Sequence, residues 1–119
     1  MAMTFDVEIV LRERTDAVTE RITHAGNDAH AWTGRDVESV LKEILLAIDR
    51  VKHPERVAGY VALRGFSWIV EPVDDGVVIA IEIPSGAAVA GPFRIGQARL
   101  DRLITTVIAA AAPPRPTVH

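Results

Sequence analysis

Residues 66–84 read FSWIVEPVDDGVVIAIEIP, and the fold turns on how this stretch pairs with itself. Two apolar runs meet at Asp75-Gly76, and Asp-Gly supplies the positive φ angles of a two-residue type I′ hairpin turn. That turn sets Val73 against Val78, Val70 against Ile81 and Trp68 against Ile83. Side chains alternate across a strand. One face of the hairpin then carries Phe66, Trp68, Val70 and Pro72 with Val77, Ile79, Ile81 and Ile83. The other carries Ser67, Ile69, Glu71 and Val73 with Val78, Ala80 and Glu82.

Pro72 speaks against this register, because it would occupy a hydrogen-bonding position without an N–H to give. A three-residue loop, Asp74-Asp75-Gly76, with Gly76 in a left-handed bulge, relieves that but brings Glu82 beside Trp68. A lost ladder bond costs about 1 kcal/mol net, whereas an unpaired buried carboxylate costs several. The two-residue turn is therefore expected, with a bulge near Pro72.

Downstream, residues 85–96 carry three glycines and Pro92 and read as a loop. A helix starts near Gly96, with Leu100, Leu103, Ile104, Val107, Ile108 and Ala111 on one face, and Pro113-Pro114 stops it. Upstream, residues 57–63 read as a strand, with Gly65 either a bulge or the turn into Phe66. Before it lies a helix with a full set of start signals. Thr33 fits the N-cap, Asp36 completes a capping box, and Trp32 with Val37 can form a hydrophobic staple. Val37, Val40, Leu41, Ile44, Leu45, Ile48 and Val51 follow helical spacing, and His53-Pro54 ends the run.

Residues 14–31 are the least legible. Val18, Glu20, Ile22 and His24 alternate as a strand would, while Thr15 would suit the cap of a short helix; the β-branched Thr19, Ile22 and Thr23 favour the strand. Phe5, Val7, Ile9 and Leu11 alternate with Asp6, Glu8, Val10 and Arg12 in a half-buried first strand. This order implies an α+β fold: a mostly antiparallel sheet of about four to five strands with two helices packed on one face. Residues 1–112 are expected to form one domain and 113–119 a Pro-rich flexible tail.

A net charge of −3 offers no bulk attraction for nucleic acid or acidic membranes, so neither is expected as a partner. No cysteine is present, which removes disulfide and thiolate chemistry, and no secretory leader is legible, so a cytoplasmic location is expected. No stretch is apolar enough for a membrane helix.

No motif identifies a reaction. His24, Asp28 and His30 surround a turn and are the nearest approach to a metal-ligand set, in a spacing that matches no standard zinc pattern. Arg94 and Arg99 flank the start of the last helix, where backbone donors and guanidinium groups together suit an anion. Ser85-Gly86 lacks the Gly-x-Ser-x-Gly frame of a nucleophile elbow, and Gly86, Gly91 and Gly96 fit no phosphate-loop pattern. Glu71 and Glu82 share a face without any sign of a substrate cleft.

The expected function is that of a non-catalytic interaction or scaffolding module acting as a homodimer, with no cofactor. Ile69, Val73, Val78 and Ala80 would form the apolar contact, and Leu46, opposite the core stripe of its helix, is a further interface candidate. The alternatives are an anionic-ligand binder at the last helix and a small metal-dependent enzyme.

Overall fold

The computed structural model describes residues 3–55 and 61–111. β1 (Met3–Leu11) and β2 (Val18–His24) form an antiparallel pair. A single 3-10 turn (Ala29–Ala31) then leads into α1 (Gly34–Lys52). β3 (Ser67–Val73), β4 (Gly76–Ile83) and β5 (Gly86–Phe93) run as an antiparallel meander, and α2 (Gln97–Ala111) follows. The strands lie in the order β2-β1-β5-β4-β3, with β1 antiparallel to β5. This is the α+β fold implied by the sequence. The alternation from Val18 to His24 is a strand returning beside the first, with Phe5 facing Ile22 and Val7 facing Glu20.

The central hairpin keeps its predicted faces but not its predicted register. Val73 faces Gly76, Val70 faces Ile79 and Trp68 faces Ile81, so the turn is Asp74-Asp75. No described non-glycine residue has a positive φ, which excludes a type I′ turn there. Gly76 takes the unusual torsion (φ 142°), and a Cβ on it would strike the carbonyl oxygen of Phe93. Pro72 explains the difference. With Val73 and Gly76 hydrogen-bonded across the turn, the next pair, Pro72 and Val77, exchanges no bonds, and the missing N–H faces the open side of edge strand β3. The pairing moves by two residues, and an even shift leaves every side chain on its face.

A second correction concerns residues 85–96, expected to be a loop. Gly86–Phe93 is β5, a central strand between β1 and β4. Its glycines and proline hid it for a physical reason. Val77 pairs with Phe93 and Ile79 with Ala90, so Val78 alone opposes Gly91 and Pro92 in a β-bulge, where a proline is tolerated. The bulge also breaks the alternation, since Ala88, Ala90 and Phe93 all point into the core. The strand expected at 57–63 falls largely outside the described residues; its described end, 61–63, is irregular, with Leu63 buried. The tail expected at 113–119 also lies outside the described residues.

One face of the sheet is covered. Phe5, Val7, Ile9 and Leu11 of β1 are buried with Ile22, Val70, Val77, Ile79, Ile81, Ala88, Ala90 and Phe93. From α1 come Val37, Val40, Leu41, Ile44 and Ile48, and from α2 Leu100, Ile104 and Val107. Each fully buried leucine or isoleucine contributes about 1.5–3 kcal/mol. Ala88 and Ala90 are small at the sheet's centre, where bulkier neighbours Val7, Ile9, Ile79 and Ile81 share the same layer. Gln97, the first residue of α2, donates from Nε2 to the Val70 carbonyl at 3.0 Å. By the hairpin register that carbonyl faces the outer edge of β3.

Candidate functional site

Two places could carry chemistry: a buried polar knot between β2 and α1, and the uncovered face of the sheet.

The knot grows from the α1 start signals. Asp36, at the third helical position, accepts from the Thr33 N–H at 3.0 Å, as a capping box requires, and from the Thr33 hydroxyl at 3.1 Å. The same carboxylate accepts the Asn27 N–H at 3.2 Å, the Asn27 amide at 3.1 Å and His24 Nε2 at 3.0 Å. His24 and Asp36 are both buried. Burial by itself pushes the Asp36 carboxyl up; the Thr33 N–H, then His24 and the two Asn27 donors, more than offset this and hold it well below the usual carboxylate range. Trp32 roofs the knot. Its ring stands edge-on to His24 with centroids 6.1 Å apart, packs on Phe93 at 4.8 Å, and donates Nε1–H to the Asn27 carbonyl at 2.8 Å. A Cβ on Gly26 would collide with both His24 Nε2 and Asp36 Oδ1, so only glycine lets the loop close over the pair.

This arrangement is closed. Asp36 spends its oxygens on five donors from the chain itself. No described buried side-chain nitrogen or oxygen lacks a partner. A carboxylate held ionised and fully bonded supplies neither a general acid nor an open ligand position.

The structure does not bring His24, Asp28 and His30 together. His24 turns inward to Asp36, whereas Asp28 and His30 are exposed. Among the described residues no group of three or more His, Cys, Asp or Glu side chains could hold a metal ion. Arg99 is engaged with the chain: Nη1 donates to the His30 carbonyl at 2.6 Å and Nη2 to the Trp32 carbonyl at 2.9 Å. The guanidinium thus ties the start of α2 to the segment that carries the knot, and Arg94 is left as the exposed cation before that helix. Glu71 and Glu82 are exposed on one face but lie about four residues apart along the strands, roughly 13 Å, too far to work as a pair.

The open face is the second place. Alternating with the buried residues, it carries Ile69 (51% exposed), Val89 (44%), Val73 (43%) and Val10 (41%), with Val78, Ala80 and Ala87 half-buried among them. Ile69, Ala80 and Val89 form one row across β3, β4 and β5. Ala80 and Ala87 lie in the floor of a shallow hollow of about 310 Å³, with Ile69, Val89, Ser67 and Glu82 around it. Toward β1 and β2 the face turns polar, with Glu8, Thr19 and the Asp6–Arg21 ion pair at 3.1 Å. Sequence reasoning found Ile69, Val73, Val78 and Ala80 but not Val10 or Val89. Val10 was counted with the wet side of β1, and Val89 lay in the supposed loop. Leu46 is half-buried on α1, away from this face.

Comparison with known proteins finds no matching family model, no matching curated protein and no matching solved structure. Among the described residues no helix is long and apolar enough to cross a membrane.

Proposed function

We propose that this chain is a non-catalytic interaction module that works as a homodimer, two copies joined through the open sheet face. The carrying observation is the exposure of Val10, Ile69, Val73 and Val89 on a single face while every core residue of the same strands points the other way. Contiguous apolar surface of this kind marks an interaction site more often than chance. Five strands about 4.8 Å apart and about eight residues long make a face of roughly 600 Å². Pairing two such faces buries on the order of 1,200 Å², the lower end of the range for a specific interface. An apolar centre with Glu8, Glu71, Glu82 and Arg21 around it also matches the anatomy of such surfaces. Closed two-fold dimers are the commonest assembly.

Size exclusion with light scattering tests the reading. At micromolar protein the expected result is a dimer, and Ile69→Asp is expected to give a folded monomer. A wild-type chain that stays monomeric at high concentration sinks the proposal.

A further inference from the structure

Resting on that dimer, we infer that the two copies meet face to face by an isologous knob-and-hollow fit, with Ile69 of each copy seated in the Ala80–Ala87 hollow of the other.

Edge pairing at β3 is blocked by the fold itself. Pro72 has no N–H to offer on the outer side of that strand, and the outward Val70 carbonyl is taken by Gln97 Nε2 at 3.0 Å. A second copy that used β3 as a template would lose one bond and have to displace another. The open face presents the opposite case. Ile69 is the most exposed of the large apolar side chains in the described residues, and it stands at the rim of a hollow floored by two alanines. A two-fold axis makes each contact twice, with residue i of one copy on residue j of the other and the reverse. Such an axis needs a projection and a recess on the same patch, and Ile69 beside Ala80 and Ala87 supplies both.

This fit separates shape from stickiness. Ala80→Leu adds apolar surface to the patch and at the same time fills the recess. A face held together by non-specific apolar contact would associate more tightly in this variant. The knob-and-hollow fit requires the reverse: the dimer dissociation constant, measured by sedimentation equilibrium, rises at least about tenfold. Ile69→Ala removes the knob and weakens the dimer as well. In the double variant Ile69→Ala/Ala80→Leu the projection and recess exchange places, and part of the lost affinity returns. Unaltered circular dichroism in each variant shows that the monomer is intact, which Ala80's outward position leads us to expect.

A second measurement uses the absence of native cysteine. An equimolar mixture of Ile69→Cys and Ala80→Cys chains is expected to form an inter-copy disulfide under mild oxidation, since the fit sets residue 69 of one copy over residue 80 of the other, while Thr23→Cys in edge strand β2 stays reduced. A dimer that is unchanged or tightened by Ala80→Leu, or that cross-links through Thr23→Cys and not between Ile69→Cys and Ala80→Cys chains, overturns the fit and leaves the dimer itself standing. A monomeric wild type removes both.

Discussion

Ile69 and Ile81 sit on neighbouring strands of one hairpin, and they are the same residue type in the same secondary structure. Ile81 is 1% exposed and Ile69 is 51% exposed. The difference lies in what stands over each face. Leu100 and Ile104 of α2 and the α1 stripe from Val37 to Ile48 close over the side that holds Ile81. No described element covers the side that holds Ile69. Hydrophobicity alone therefore does not mark the core; the side of the strand and the reach of the helices decide it. The same sheet thus has a face that holds the core and a face left open, which the proposed dimer would use for contact.

The sharpest way to break that division is to truncate the covered face. Ile44→Ala on α1 leaves a cavity where the side chain is fully buried, and the expected loss is about 2–5 kcal/mol in a urea melt. A loss below 1 kcal/mol would mean that α1 does not seal the sheet.

The knot at the rim of the covered face comes next. Asp36→Asn keeps the shape but replaces an acceptor with a donor among five donors, and buried unsatisfied groups cost about 1–3 kcal/mol. The pH dependence gives a second reading. Because the folded Asp36 carboxyl is held below its unfolded value, its contribution is complete above about pH 4 and is lost as pH falls through the lowered folded value. The deficit of Asp36→Asn against wild type should thus be full at neutral pH and shrink in acid. A deficit that grew in acid would contradict the assigned hydrogen bonds.

How much of this was legible in the sequence follows from where the signals are local. The α1 cap needed only Trp32, Thr33, Asp36 and Val37 within six positions, and it is present. The hairpin faces survived a wrong register because the error was two residues, and parity is all that a face requires. β5 was hidden because its evidence is non-local. Gly86, Gly91 and Pro92 read as punctuation until Val77, Ile79 and β1 are seen to pair with it around a bulge. The knot was half visible: Asp36 was placed as a capping residue and His24 in a strand, yet nothing in their spacing says that a loop through Gly26 folds them together. The alternation that defined β1 also concealed Val10, since a residue on the wet side is read as wet.

Thr33→Ala is a smaller test of the same region. It removes the hydroxyl that donates to Asp36 Oδ2 while leaving the backbone N–H bond in place. A cost of about 1 kcal/mol is expected, as for other N-caps. A cost near that of Ile44→Ala would show that the cap and the knot behave as one cooperative unit.

The smallest expected effect is the most informative for the open face. Ile69→Thr preserves a β-branched side chain suited to a strand and removes apolar surface only from the uncovered side. In protein dilute enough to be monomeric, its unfolding free energy should match wild type within about 0.5 kcal/mol, the range of ordinary surface substitutions. At high concentration the two should part. A dimer that forms only from folded chains stabilises them by mass action, so the wild-type midpoint rises with concentration while that of Ile69→Thr rises less. Melts at two concentrations a hundredfold apart separate the two contributions in one experiment. Destabilisation by more than 1 kcal/mol in dilute solution would mean that Ile69 already packs against something within the single chain, and the contrast between the two faces would fail at its clearest point.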